Sequence, residues 1–375
     1  MQSEPINFKH RFSDLEALVE KTDGNTCPFY TPSFFEALEE SGSTIKARGW
    51  QAHHYYNPQH SLVIPGYLKD HSYGEFIFDW SIADAIMQAG YAYYPKWVSQ
   101  LPFTPISMSS PAFHAQSSTS HDNLRQSVET LLESLGKQSI LTAQFLYPHQ
   151  ALSDVLEPLC IARQSIQFEW ENNQYQSFDD FLSDLSQKRA KEVRRERRKI
   201  QSLDLQFDWK NGDHLTPTVI DQFVPFYQRT YMKRSGHYGY LNQEFFQRWL
   251  TLNKNQVHLL FAYEGEQPVA AALFLSDNST LFGRYYGSIL DDQGLHFECC
   301  YYRGIELAIK KGLQRFNPGV QGEHKVRRGF RPYKLTSYYR YFNAALEKQI
   351  GRLFKQEETE LDDYLNYLNQ RLPFR

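Results

Sequence analysis

Residues Val257–Ser288 constrain the fold more than any other stretch. The run VHLLFAYEGEQPVAAALFLSDNSTLFGRYYGS reads as three strands in immediate succession, with turns at Glu264-Gly265-Glu266 and Asp277-Asn278. A helical pattern follows over 297–311 and stops before Gly312, and a fresh strand begins at Leu313. An antiparallel meander that continues into helix and strand closes as a mixed sheet with helices outside. It does not close as the regular strand–helix alternation of a doubly wound domain, and no GxGxxG follows a strand.

The chain has 375 residues, which suits two domains of ordinary size. The spacing predicts, in the first half, a helix over Pro32–Glu40 capped by Thr31. A hairpin turning at Asn57-Pro58-Gln59 follows, then strands over 75–80, 91–97, 140–147 and 164–170 and helices over 82–89, 124–135 and 152–156. A polar loop is expected over 110–122. The second half opens at Ser177, whose spacing to Asp180 is that of an N-cap. It continues with a basic helix over 188–199, a strand over 203–209 and helices over 217–233 and 242–253. The meander comes next, then strands over 313–316 and 336–346 and an acidic helix from about residue 357. Both halves place strands before a helix that ends at glycine, then a strand entering a proline-containing loop.

Composition narrows the class. Mean hydropathy is -0.59, yet Phe and Tyr number 27 and 25, so aromatic rings stand in for part of the aliphatic core. The net charge of -3 gives no global attraction to nucleic acid or anionic lipid. The N-terminus lacks the apolar run of a signal, and no stretch is long and apolar enough to span a bilayer. Cys27, Cys160, Cys299 and Cys300 form no metal or disulfide pattern, which reads as a cytoplasmic protein without a metal. Adjacent Cys299 and Cys300 diverge on a helix and read as buried thiols rather than nucleophiles.

Charge concentrates in two places. The polar stretch Gln321 to Arg328 carries Glu323, His324, Lys325, Arg327 and Arg328 between Phe316 and Phe330. Charge bracketed by aromatic residues suits a lined pocket. His324 titrates near neutrality and, with Glu323, is a candidate acid–base pair. Lys325, Arg327 and Arg328 are candidates for a donor's phosphates. On the preceding strand, Arg284 and Tyr285 are candidates to face a developing oxyanion. The second concentration, Lys188–Lys199, holds eight basic residues and two glutamates, a local charge of about +6. There Arg194, Arg195 and Arg198 are candidates for phosphate contact, against the alternative of a solvated helix face with glutamate–arginine pairs one turn apart.

Three blocks carry a family resemblance: QFEWENNQYQSFDDFLSDLSQKRAKEVRRERRK at 167–199, FYQRTYMKRSGHYGYLNQEFF at 226–246, and GRYYG at 283–287 with LHFECCYYRGIELAIKKGLQRFNPGVQGEHKVRRGF at 295–330. They resemble the bacterial FemAB-like acyltransferases of peptidoglycan biosynthesis or recognition, over nearly the whole chain. Tyr286 stands where that family favours tryptophan, and Glu169 stands before Trp170 where a histidine is common.

The resemblance implies an α/β fold of mixed, mainly antiparallel sheets with flanking helices. It implies two tandem domains of the GNAT acyl-CoA N-acyltransferase type, 1–172 and 173–375, the second carrying the main motifs. It further implies transfer of an acyl or aminoacyl group to a primary amine such as that of a cell-wall precursor. The phosphate-containing donor would be acyl-CoA or aminoacyl-tRNA, with no cofactor bound covalently. The alternatives are a non-catalytic module that binds a cell-envelope precursor or nucleic acid on a degenerate acyltransferase fold, and acetyl-CoA-dependent acetylation of a small amine or sugar.

Overall fold

The computed structural model describes residues 7–18, 27–114, 119–291, 293–320 and 322–375. Part of the expected 110–122 loop and Gln321 therefore lie outside the described residues. The chain forms two compact units. Unit 1 comprises Met1–Asp23, Phe29–Ser165 and Lys334–Asp362, and unit 2 comprises Gly24–Pro28, Ile166–Tyr333 and Asp363–Arg375. The expectation was a single cut at 172/173. The units are instead discontinuous in sequence, because a C-terminal strand and most of the last helix pack with unit 1.

In chain order the strands of unit 1 are β1 (Asn7–Lys9), β2 (Trp50–Ala52), β3 (His54–Asn57), β4 (Leu62–Ile64), β5 (Tyr67–Lys69), β6 (Lys96–Ser99), β7 (Phe113–His114) and β8 (Thr142–Phe145). Its helices are α1 (Pro32–Glu40), α2 (Trp80–Gln88), α3 (His121–Gly136) and α4 (Gln150–Leu156). Strand β9 (Ile161–Glu171) leads into unit 2, which holds α5 (Phe178–Asp184), α6 (Gln187–Gln201), β10 (Gln206–Asn211), α7 (Pro217–Ser235) and α8 (Gln243–Leu252). The meander is β11 (Val257–Glu264), β12 (Gln267–Ser276) and β13 (Thr280–Ser288). A single helical rod follows in three parts: α9 (Gln293–Phe297), a π-helical turn at Glu298–Tyr302 and α10 (Arg303–Lys310). The chain ends with β14 (Arg315–Asn317), a 3-10 turn at Glu323–Arg328, β15 (Arg331–Tyr341) and α11 (Ala344–Asn369).

Each unit carries a mixed sheet that is mainly antiparallel. In unit 2 the order is β10-β11-β12-β13-β14-β9, and only β13 and β14 run parallel. In unit 1 the order is β15-β8-β6-β5-β2, and only β6 and β8 run parallel. A smaller antiparallel sheet, β1-β3-β4-β7, completes unit 1. The expected hairpin about Asn57 is divided between these two sheets: β3 pairs with β4, while β2 pairs with β5. The fold class thus matches the expectation, mixed α/β with antiparallel pairing dominant.

Alternation along the meander builds the core of unit 2. Leu260, Ala262, Ala270, Ala272, Phe274 and Leu281 share a cluster with Ala190, Val193 and Ile200 of α6 and with Ile305 and Ala308 of α10. The opposite face takes α7, where Phe226 meets Phe261 at 6.5 Å between ring centroids. A Cβ at Gly287 of β13 would lie 1.9 Å from the Phe226 carbonyl oxygen, so only glycine permits that approach. The Thr230 hydroxyl of α7 then donates to the Tyr286 carbonyl at 2.6 Å.

Several expected elements moved for physical reasons. Residues 75–80 form no strand; Glu75 and Asp79 turn inward to buried lysines, and Phe76 takes φ 59°. Strand β15 begins at Arg331 rather than 336. Helix α11 begins at Ala344, well before 357, because its apolar positions Leu346, Ile350 and Phe354 recur at helical spacing on a buried face that Gly351 obscures in sequence. The Ser177 cap is present, with its hydroxyl accepting from Asp180 N at 3.1 Å, while the Asp180 carboxylate accepts from Gln176 N at 3.0 Å.

Candidate functional site

The parallel pair β13–β14 is short. Pairing runs from Thr280↔Arg315 to Phe282↔Asn317, after which β14 ends and β13 continues to Ser288. On its other edge, β13 pairs Gly283 with Phe274 and Tyr285 with Leu273. Arg284 is therefore the extra residue of a β-bulge, a device that re-aims a side chain. Its Nη1 donates to the Gly283 carbonyl at 2.7 Å and to Asn317 Oδ1 at 3.1 Å, across the point where the strands part. Burial pushes the guanidinium down to about 10, which leaves it charged at neutral pH.

A second cation reaches the same place from the Glu323–Arg328 turn. That turn starts after Gly322 (φ 117°) and ends at Gly329 (φ 90°), both conformations open to glycine. Lys325 is 1% exposed. Its Nζ donates to the carbonyls of Gly319 at 2.7 Å and Val320 at 3.0 Å and meets no carboxylate among the described residues. Gly319 N in turn donates to the Asn317 oxygen that holds Arg284. Burial, then repulsion from Arg284, pushes Lys325 down to about 7. Two cations thus share one small region with Asn317 between them.

The other side of the turn faces a cavity of about 400 Å³. Glu192, Glu196, Phe297, Tyr302, Glu323, His324, Arg327, Arg328 and Arg371 contribute to its lining. Glu323 and Arg327 are exposed. Glu323 accepts a hydrogen bond from the Tyr364 hydroxyl at 2.7 Å. His324 Nε2 lies 2.8 Å from the Tyr301 hydroxyl, with its ring 5.6 Å from that of Phe297. Burial, then the charges of Lys325, Arg328 and Arg234, pushes this imidazole down to about 4, so it is neutral at pH 7.

The π-helical turn explains how His324 gains that neighbour. An extra residue per turn brings the His296 ring against Tyr301, five positions on, at 5.4 Å. The buried Glu298 carboxylate in this turn is clamped by Arg197 at 2.9 Å and Arg303 at 3.2 Å. Cys299 and Cys300 lie in the same turn, and burial raises both thiols well above their usual range. They are poor nucleophiles.

Helix α6 sorts its charges by face. Glu192 pairs with Arg189 at 2.7 Å, and Glu196 pairs with Arg328 at 2.9 Å. The glutamates therefore bind at i−3 and across the fold, not at the expected i+4. Arg197 also turns inward, to Glu298 and Glu306. Lys188, Lys191, Arg194, Arg195, Arg198 and Lys199 stay exposed. With the acids turned inward, the outer face of α6 is more uniformly cationic than its sequence suggests.

A family profile described as peptidoglycan biosynthesis/recognition matches residues 13–375. The chain belongs to the FemAB-like family. Among solved structures, this FemAB-like chain is similar to FemX, at 11% identity over 92% of this chain and 100% of that one, with a TM-score of 0.49. It is also similar to L-PGS from Bacillus licheniformis, at 10% identity over 85% of this chain and 95% of that one, with a TM-score of 0.48. The C-terminal domain of a putative lysylphosphatidylglycerol synthetase from Agrobacterium fabrum gives 10% identity, coverages of 84% and 95%, and a TM-score of 0.49. No curated protein matches the chain. No helix among the described residues is long and apolar enough to cross a membrane.

In this FemAB-like protein the ten residues singled out in the sequence divide into groups. Glu323, His324, Arg327 and Arg328 line one cavity. Arg284 and Lys325 meet at the end of β14, behind the turn. Tyr285 points elsewhere, its ring packed 4.9 Å from Tyr227 and 5.8 Å from Phe246. Arg328 is committed: it donates to Tyr302, to the His324 carbonyl and twice to Glu196, and lies 3.5 Å over the Phe297 ring. That makes it a brace rather than a free phosphate ligand. Arg194, Arg195 and Arg198 lie on the outer face of α6. Sequence reasoning missed Asn317, Arg234 and Tyr301. Asn317 sits in FNPG, where turn chemistry masks a side chain that spans two strands.

Proposed function

We propose that unit 2 of this FemAB-like protein is an N-acyltransferase that moves an acyl or aminoacyl group from a phosphate-containing donor to a primary amine. The observation that supports this most is the pairing of Arg284 and Lys325 where β13 and β14 part. Two preorganised cations beside a strand edge, with no neutralising carboxylate on Lys325, suit a site where negative charge develops.

In this reading the amine nitrogen attacks the acyl carbon and forms a C–N bond, while the carbonyl π pair moves to oxygen. Lys325 has three N–H donors, two of which are held by the carbonyls of Gly319 and Val320, and the third meets the oxyanion. Arg284 adds its charge. His324 and Glu323 line the cavity on the other side of the turn from Lys325, so the proton leaving nitrogen passes directly to the departing group. Collapse breaks the C–S or C–O bond to the donor, and the leaving group takes up the proton. The family description, peptidoglycan biosynthesis/recognition, favours a cell-wall precursor as acceptor.

Arg327 and the outer face of α6 are the proposed binding groups for the donor's phosphates. Replacing Arg194, Arg195 and Arg198 together with glutamine should weaken binding of a mixed aminoacyl-tRNA pool. Each arginine–phosphate interaction removed should lower the log–log salt slope by roughly 0.7 to 0.9. Folding should be unaffected, since exposed charges add little to stability. Equal affinities and slopes for wild type and variant would assign this face to solvent.

Native mass spectrometry against panels of acyl-CoA and aminoacyl-tRNA identifies the donor. A retained complex with one class is expected, and retention of neither would overturn the reading.

A further inference from the structure

Unit 1 holds an exposed aromatic surface that acyl transfer in unit 2 leaves unused. Lys69 ends β5 and Lys96 opens β6, and both side chains are fully buried. Lys96 Nζ donates to Ser72 Oγ at 2.8 Å, Glu75 Oε2 at 2.8 Å and Asp79 Oδ2 at 2.7 Å. Lys69 Nζ donates to the Tyr73 carbonyl at 2.7 Å and pairs with Glu75 at 3.0 Å. The segment joining β5 to α2 is therefore tied down from beneath at Ser72, Tyr73, Glu75 and Asp79. Within it Phe76 takes φ 59°, a conformation that non-glycine residues rarely adopt and that persists where the surroundings over-determine it.

What this fixed segment presents to solvent is three aromatic rings. Tyr73, Phe78 and Trp80 are 55%, 49% and 45% exposed. They touch one another: the Trp80 ring lies 6.0 Å from Tyr73 at an interplanar angle of 53°, and 5.3 Å from Phe78 at 52°. Exposed apolar residues scattered singly need no explanation, but a contiguous group on a pinned segment is a preorganised surface. Helix α2 extends it. Trp80, Asp84 and Met87 fall at i, i+4 and i+7, one stripe of the helix, and all three are exposed.

Charge selects the occupant. From Asp70 to Pro95 the sequence contains no lysine or arginine, while Asp70 and Asp84 are exposed. The segment itself offers a polyanion no cation. A purely apolar partner would have to strip water from the carboxylates without replacing it. Electron-rich ring faces beside a carboxylate complement an organic cation, whose attraction to tryptophan is the strongest of the aromatic residues.

We propose that unit 1 binds an ammonium-bearing ligand on the Tyr73–Trp80–Phe78 surface, with Asp84 supplying the counter-charge. Choline is the probe, with its uncharged carbon isostere dimethylbutanol as the control, and binding is read by titration calorimetry and by NMR of the full chain. Wild type should bind choline in the millimolar range and the isostere at least about tenfold more weakly, the difference made by one desolvated cation–π interaction. Trp80→Ala should weaken choline about tenfold, Trp80→Phe less, and Asp84→Asn several-fold. If Trp80→Ala fails to fold, Trp80→Phe and Asp84→Asn carry the test alone. No choline binding by wild type would overturn the proposal. So would equal binding of the isostere, which marks an apolar docking surface, or preference for a neutral amino-sugar oligomer over choline.

Discussion

Replacing Lys96 with methionine should cost unit 1 about 3–5 kcal/mol, the usual result of removing one partner from a buried ion cluster. The Lys96 side chain is fully buried and meets Glu75, Asp79, Ser72 and Gln144. Without it two buried carboxylates face one remaining cation, Lys69. A double variant, Lys96→Met with Asp79→Asn, restores charge balance by leaving Lys69 against Glu75, and should recover much of the loss. Denaturant unfolding followed by circular dichroism compares the two. A single variant as stable as wild type would show that the cluster adds nothing.

The same cluster sets a pH dependence. Burial alone would raise the Asp79 carboxyl, but Lys96 holds it below the ordinary value. Its folded pKa is depressed, so its contribution is present above about pH 4, the unfolded value, and is lost as pH falls through the folded pKa. Lys96 is raised: burial opposes its charge, but Glu75 and Asp79 outweigh burial. Its contribution is full below the unfolded value and is lost only as pH climbs through the higher folded one. Unit 1 should therefore hold its stability through neutrality and lose it in strong acid.

The second large effect is catalytic. Lys325→Met should lower transfer by about 10²–10³-fold, the cost of removing one preorganised oxyanion donor. Its net effect on the stability of unit 2 should be small, because relief of a buried charge offsets the loss of the hydrogen bonds to Gly319 and Val320. The folded pKa of Lys325, about 7, lies below its unfolded value. Folding thus disfavours the ammonium below pH 7, and stability from this group grows as pH rises from about 7 to the unfolded value. Removing the charge relieves that penalty at neutral pH. A residue with only a structural role would show the reverse, reduced stability with kcat little changed. Lys325 acts as a cation, so transfer should fall as pH rises through about 7. Lys325→Arg, whose guanidinium keeps its charge, should move that limb upward.

Parts of this fold were legible because they rest on local signals. Thr31 capping α1, Ser177 capping α5 and the turns of the meander lie where the sequence placed them. What stayed hidden depends on contacts distant in sequence. Residues 75–80 carry strand-like alternation, but two lysines on other strands capture Glu75 and Asp79 and bend the segment into a loop. The helical spacing of Phe297–Lys311 gave no sign of the π-helical turn that brings His296 to Tyr301.

The candidate site divides in the same way. Of the run Glu323–Arg328, all but Lys325 line a cavity, and its aromatic walls are Phe297 and Tyr302 rather than the flanking Phe316 and Phe330. Composition could not show that neighbours in that run face opposite ways: Lys325 inward to Gly319 and Arg284, Arg327 outward, Arg328 locked to Glu196. The bulge at Arg284 was equally invisible, since it appears only when the registers on both sides of β13 are known.

Transfer itself is the most direct test of the account. Wild type, Arg284→Gln, Lys325→Met and the double variant are incubated with an isotopically labelled donor of the class retained in native mass spectrometry and with an amine-bearing cell-wall precursor. Mass spectrometry of the acceptor then follows label on nitrogen in single-turnover time courses. The account predicts transfer by wild type, a loss of about 10²–10³-fold for Lys325→Met, a further loss in the double variant, and a melting temperature close to that of wild type for Lys325→Met. Label transferred equally well by the double variant, or donor bound tightly by wild type with no label reaching any amine, would contradict it.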